Sequence, residues 1–140
     1  MPGYSGTPLV RKLGLKQDEK IVVRNAPSHY GRLLVDRPAG TSITRRLTAG
    51  AKFVHLFVTR RRELEREAAA LRTMIDEAGV LWVSWPKKAA GVPTDVTENI
   101  IREVMLPLGF VDVKVCAVDE TWSGLKLMIR REYRTTGARQ

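Results

Sequence analysis

The sequence has little cysteine, few aromatic residues and no long apolar run. Its single cysteine, Cys116, excludes an internal disulfide and favours a reducing compartment, so we expect the protein in the cytoplasm. The longest apolar runs, near residues 53–58 and 80–85, are too short to cross a bilayer, and no membrane association is expected. Residues 1–20 lack the apolar core of a secretory signal.

Known catalytic and metal-binding motifs are also missing. The chain has no G-x-S-x-G, P-loop or H-E-x-x-H motif. It has only two histidines, His29 and His55, and Cys116 has no C-x-x-C partner, so we predict no metal site. His55 lies among apolar residues, which favours a packed histidine over an acid–base group.

Positive charge is concentrated in the first half of the chain. The net charge is +9, and residues 1–62 carry 13 Lys/Arg against 3 Asp/Glu, whereas residues 63–140 carry 11 against 12. This asymmetry indicates either an anionic partner or a solubilising surface. Aromatic residues do not alternate with the basic residues there, so the stacking pattern of a single-strand nucleic-acid binder is missing.

The apolar pattern predicts one α/β domain over residues 1–140, with an N-terminal arm and short helix at 1–14 and a frayed tail at 133–140. Strands are predicted at 20–24, 42–47, 52–58, 80–85, 111–117 and 125–130. Helices are predicted from Thr7 as N-cap to Gly14, from Ser28 to Val35, from Thr59 to about Ala78 and from Asp95 to about Leu106. We therefore expect a three-layer Rossmann-like fold with a mixed sheet of about six strands, mostly parallel and ending in an antiparallel hairpin.

This order of elements resembles a class I methyltransferase shortened by one βα unit. Three segments carry the resemblance: FVHLFVT at 53–59, EAGVLWVS at 77–84 and LGFV at 108–111. The resemblance implies a cofactor site after the first strand, where a turn rich in glycine would allow close approach of the ligand. Here that turn is RNAPS at 24–28, and the second strand ends at Arg45 and Arg46 instead of an acid. We therefore predict no cofactor, and S-adenosylmethionine is not expected in the usual mode.

Four longer segments carry a second resemblance: YSGTPL at 4–9, HLFVTR at 55–60, LWVSWPKK at 81–88 and VKVCAVDETWSGLK at 113–126. They resemble the bacterial DUF3052 family, a domain of unknown function. This second resemblance covers most of the chain and implies no activity.

Four segments should converge at the carboxyl edge of the predicted sheet, where open α/β folds bind ligands. The candidate ligand-binding residues are Asn25, Ser28, Thr59, Arg60, Arg61, Trp85, Lys87, Lys88 and Trp122. Helix N-termini and basic side chains at this edge favour an anion. The alternatives are an Arg61–Glu65 pair in a solvated helix turn and core packing of both tryptophans. Asp119 and Glu120 are the candidate acid–base groups.

The leading hypothesis is a non-catalytic binding or regulatory domain that engages an anionic small molecule or an acidic protein surface at this edge. An enzyme acting on a phosphorylated or nucleotide-like substrate and nonspecific nucleic-acid binding by the basic first half are the alternatives. All of them leave the oligomeric state open. The leading hypothesis requires Lys87 and Arg60 to open onto one crevice.

Overall fold

A computed structural model describes residues 8–135, which form one six-stranded mixed sheet with helices on both faces. The strands are β1 (Lys20–Arg24), β2 (Ser42–Thr44), β3 (Ala51–Phe57), β4 (Ile75–Pro86), β5 (Phe110–Ala117) and β6 (Trp122–Ile129). The helices are α1 (Leu9–Leu13), α2 (Tyr30–Leu33), α3 (Arg61–Met74) and α4 (Glu98–Met105). Three short 3₁₀ segments lie at Lys88–Ala90, Leu106–Leu108 and Arg131–Tyr133.

The strand order across the sheet is β2-β1-β3-β4-β6-β5. Neighbours from β2 to β4 are parallel, whereas β6 runs antiparallel to both β4 and β5. Because β6 opposes both of its neighbours, β5 points the same way as β1 to β4. The predicted Rossmann-like α/β fold with a mostly parallel sheet and a terminal antiparallel hairpin is confirmed.

Two hydrophobic cores lie on opposite faces of the sheet. Along β3, Val54 and Leu56 belong to the core that includes residues of α3 and α4, whereas Phe53 and Phe57 belong to the core that includes residues of α1 and α2. Successive side chains of a strand point to opposite faces, so this alternation assigns the two cores to the two faces. A strand buried on both faces reads as a continuous apolar run, which is why β3 and β4 were visible in the sequence.

Helix α3 ends four residues earlier than its apolar spacing predicted. The chain leaves the helix after Met74, and Ile75 is buried as the first residue of β4, paired with Ala51. Gly79 packs closely against the neighbouring strand, because a Cβ there would lie 3.0 Å from the carbonyl oxygen of Ala51. Burial of Ile75 in the sheet satisfies the same apolar pattern that a longer helix would have used.

The helix starts also differ from the predicted caps. Thr59 is not an N-cap; α3 begins at Arg61, and the Glu63 carboxylate accepts hydrogen bonds from the backbone N–H groups of Thr59 and Arg60 at 2.9 and 3.0 Å. These hydrogen bonds lower the pKa of Glu63, and the bond from Thr59 has the largest effect. In α4 the N-cap is Thr97, whose hydroxyl accepts from the Ile100 N–H at 3.2 Å.

The other two predicted caps are Ser28 and Thr7. Ser28 does not begin α2, which starts at Tyr30 without a side-chain cap. The predicted cap Thr7 lies outside the described residues. Pro8 occupies the N-cap position of α1, and the left-handed Gly14 ends that helix, as the sequence predicted.

Strand β5 is an edge strand, and its three valines lie on the more exposed of its two faces. Val111, Val113 and Val115 keep 37%, 49% and 47% of their surface exposed. A register shift between Asp112 and Lys114 interrupts the pairing with β6, as bulges often do at sheet edges.

Candidate functional site

The carboxyl ends of β1, β3, β4 and β5 meet at one rim of the sheet. The Lys87 N–H donates to the Thr121 carbonyl at 2.7 Å, which joins the end of β4 to the β5–β6 turn. The Thr94 hydroxyl donates to the Thr59 carbonyl at 2.7 Å, which joins the loop before α4 to the end of β3. His29 Nε2 lies 2.9 Å from Asp119 Oδ2, which joins the loop after β1 to the same turn. The predicted segments therefore share a rim, while their role in ligand binding stays a prediction.

A cavity of about 620 Å³ opens at this rim beside the ends of β1 and β2. Its wall consists of Val23, Arg24, Asn25, Ala26, Pro27, Ser28, Tyr30, Gly31, Ile43 and Arg45. Of the candidate residues, it includes Asn25 and Ser28. Arg24, Tyr30, Gly31 and Arg45 are lining residues that the sequence analysis did not select. The rule that ligands bind beyond strand ends located the loop, but a cavity wall depends on the path of α2, which the sequence does not show.

The turn after β1 has an unusual backbone. Asn25 has a φ of 59°, in the left-handed region that glycine favours and asparagine tolerates better than most residues. The preceding Arg24 is fixed, because its guanidinium donates to both carboxylate oxygens of Glu67 at 3.0 and 3.1 Å and to the Arg45 carbonyl at 3.2 Å. The hydrogen bond with Glu67 raises the pKa of Arg24. The turn thus bends without glycine, and β1 is tied to α3 and to the end of β2.

A buried polar chain extends from the cavity wall into the sheet. The Tyr30 hydroxyl lies 2.9 Å from His55 Nδ1, and His55 Nε2 lies 2.7 Å from the Ser84 hydroxyl. Burial lowers the pKa of His55 to about 3 and raises that of Tyr30. The imidazole also stacks on Phe57, with ring centroids 4.3 Å apart. His55 is therefore a neutral packed histidine, as its apolar neighbours suggested, with a hydrogen bond at each ring nitrogen.

His29 and Asp119 form a second polar pair at the rim. Asp119 Oδ1 accepts from the backbone N–H groups of Thr121 and Trp122 at 2.9 and 2.8 Å, so the carboxylate is held in place while Oδ2 meets His29. The side chains of His29 and Asp119 are 33% and 14% exposed. The sequence analysis selected Asp119 and missed His29, because the two residues are 90 positions apart. Glu120 is exposed.

The basic candidates do not form one anion site with the cavity. Arg61 pairs with Glu65 at 3.0 Å and with Glu103 at 2.9 Å, so its charge is balanced, as the alternative interpretation predicted. Its backbone N–H donates to Asp95, which explains why Asp95 does not cap α4. Neither Arg60 nor Lys88 lines the cavity.

The two tryptophans cannot sandwich one flat ligand. Trp85 is buried in the core on the α3–α4 face, whereas Trp122 packs edge-on against Phe57 in the core on the other face, at 5.0 Å between ring centroids. The interpretation of both rings as core packing agrees with these positions. The idea that they flank a ligand does not, since the sheet itself separates them.

Residues 8–135 contain neither a metal-binding cluster nor a membrane-spanning helix. No group of three or more His, Cys, Asp or Glu side chains there is arranged to hold a metal ion. None of the helices in that range is long and apolar enough to span a bilayer.

Sequence comparison identifies no relative: no family model and no curated protein matches the chain. The resemblance to the DUF3052 family therefore stays a prediction. Structural comparison does find neighbours. A SAM-dependent methyltransferase from Aquifex aeolicus superposes with a TM-score of 0.67 at 11% identity, covering 90% of each chain. A putative type 11 methyltransferase from Sulfolobus solfataricus gives 0.57 at 9% identity, covering 82% of this chain and 85% of its own.

A third neighbour was solved with its cofactor. It is the fibrillarin of Aeropyrum pernix, in complex with natively bound S-adenosyl-L-methionine, with a TM-score of 0.54 at 12% identity. The match covers 86% of this chain and 73% of that one. At these identities the likeness shows the fold, which is that of class I SAM-dependent methyltransferases.

The hypothesis of a non-catalytic domain is contradicted by these neighbours. It depended on the missing glycines after β1 and the missing acid after β2. The same fold is found in solved methyltransferases, and the two superpositions cover 82–90% of each chain. Motif loss at two positions was therefore too narrow a basis for preferring a non-catalytic domain over an enzyme.

Proposed function

We propose that the protein is a methyltransferase whose methyl donor occupies the cavity beside β1 and β2. One observation carries the proposal: in a methyltransferase fold, the cavity lies at the carboxyl ends of the first two strands, where open α/β sheets bind their ligands. Its volume of about 620 Å³ lies within the range of roughly 300–1,000 Å³ that is usual for ligand pockets.

The backbone of the cavity wall supports this proposal. The left-handed Asn25 gives the turn the curvature that glycine provides elsewhere, and a Cβ built on Gly31 meets no atom within 4 Å. The amide of Asn25 and the hydroxyl of Ser28 would supply polar contacts to the bound donor, since an amide or hydroxyl oxygen accepts from ribose hydroxyls. Arg45 lies where an acid would otherwise fill that role, so the polar contacts differ from the usual mode.

His29 is the candidate proton acceptor of this enzyme. When bound, S-adenosylmethionine supplies an electrophilic methyl group. The acceptor atom of the substrate must release its proton, and an imidazole near the rim can take it. Asp119 orients His29, as a carboxylate does when it is bonded to the far nitrogen of a catalytic histidine. His29 lies between Ser28 and Tyr30, which both line the cavity.

Binding of the donor can be measured before the substrate is known. Calorimetric titration with S-adenosylmethionine and S-adenosylhomocysteine should show saturable binding, and the melting temperature should rise with ligand concentration. A hundredfold excess over Kd would stabilise the native state by about 2.7 kcal/mol. Gly31→Leu should abolish binding, because the new side chain fills open space at the cavity wall.

The matched control is Val35→Leu, which enlarges a highly exposed side chain just beyond α2 and outside the cavity wall. This variant should bind as the unmodified protein does. Absence of binding by the folded, unmodified protein, or equal loss in both variants, would contradict the proposal.

A further inference from the structure

Three lysines from distant parts of the chain meet on the α1 face of the sheet. Lys114 of β5 and Lys126 of β6 are directly paired in the antiparallel ladder. The Lys114 ammonium lies 5.9 Å from the ring centroid of Trp82, which belongs to the core under α1. Lys16, just beyond α1, is close enough to act electrostatically on Lys126. We call Lys16, Lys114 and Lys126 the lysine patch.

The patch concentrates charge that the protein itself does not balance. Like charges directly opposite each other in a ladder destabilise a sheet. Burial lowers the pKa of Lys126, and Lys114 and Lys16 lower it further. In the part of the chain that the structure describes, none of the three ammonium groups forms an ion pair. The Glu19 carboxylate accepts from the backbone N–H of Lys16.

We propose that the lysine patch binds the phosphate backbone of a nucleic acid without reading its sequence. Closely spaced ammonium groups match a polymer that carries a negative charge every few ångströms, and a chain with a net charge of +9 attracts such a polymer at long range. Trp82 is fully buried and presents no stacking surface, so the contact is with phosphates and not with bases.

This surface differs from the basic first half that the charge count indicated. Two of its three lysines belong to residues 63–140, which carry a slight negative net charge. It also lies apart from the cavity: none of its residues lines the cavity wall. The inference does not depend on the proposed methyl transfer, and donor binding should be unchanged when the patch is altered.

The test is fluorescence anisotropy with a labelled DNA duplex of about 20 base pairs, measured over a range of salt concentrations. The triple variant Lys16→Gln, Lys114→Gln, Lys126→Gln should bind at least about fivefold more weakly at low salt, and its slope of log K against log salt should be shallower by about 2–3. The control triple variant Arg32→Gln, Lys52→Gln, Lys88→Gln removes the same charge from exposed residues elsewhere. The affinity of this control variant for the duplex should fall by less than about twofold.

Each other outcome overturns the inference. Equal weakening in both triple variants would show an effect of net charge alone. Absence of duplex binding by the unmodified protein at low salt would show that the patch does not bind nucleic acid. Binding to polyglutamate as tight as to DNA, with the same dependence on the patch, would assign the surface to an acidic protein instead.

Discussion

The buried His55 predicts a specific loss of stability in mild acid. Its ring has no exposed surface, and burial lowers its pKa to about 3, against 6.5 in the unfolded chain. Between those two pH values the unfolded state binds a proton that the native state does not. The free energy of unfolding therefore falls as the pH falls below 6.5, and the loss is complete near pH 3.

The expected size follows from linkage. Each pH unit below 6.5 costs about 1.4 kcal/mol, so the drop from pH 7.5 to pH 5 should be about 2 kcal/mol. The carboxyl groups with lowered pKa values, Glu63, Asp112 and Glu132, lose their contribution below their unfolded values of 4.5, 3.8 and 4.5. They therefore add little above pH 5.

The assay is urea unfolding at intervals between pH 7.5 and 5. The chain has two histidines, so His29→Asn leaves His55 as the sole remaining one. That variant should keep a loss of about 2 kcal/mol, and nitrogen NMR of its single imidazole should show a neutral ring in the folded protein at pH 5. A flat stability profile in the variant, or a charged ring in its folded state, would refute the burial argument.

Two other predictions concern single hydrogen bonds. Tyr30→Phe should lower the free energy of unfolding by about 1–3 kcal/mol, because His55 Nδ1 then lies buried without its partner at 2.9 Å; a loss in urea unfolding below about 0.5 kcal/mol would contradict this. Thr97→Ala should cost about 1 kcal/mol in the same assay, because the Ile100 N–H at the start of α4 loses its cap. Thr97→Ser keeps the hydroxyl and should remain near the stability of the unmodified protein.

The sequence predicted the fold well because most of the strands carry strong apolar signals. Residues of β3 and β4 are buried on both faces, and their apolar runs identified them as strands. The bounds of the helices were less accurate. Ile75 continues the helical spacing of α3 and yet begins a strand, since either structure would bury it.

The candidate site was predicted only in part. Strand ends located the turn at Asn25 and the hairpin at Asp119, because parallel strands bring their carboxyl ends together. The pairing of Asp119 with His29 could not be predicted, since it depends on how a four-residue helix directs the loop before it. The left-handed backbone of Asn25 was equally hidden: the sequence shows that glycine is absent, not that asparagine adopts the same conformation.

The position of β6 determines the order in which the sheet can assemble. This strand is the last in sequence, yet it lies between β4 and β5, and β5 joins the sheet only through it. During synthesis, strands from β1 to β4 can pair as they emerge, whereas residues 110–117 must wait for residues 122–129. Until then the edge of β4 has no partner. We therefore expect nascent chains that end before residue 129 to aggregate more readily than the full chain.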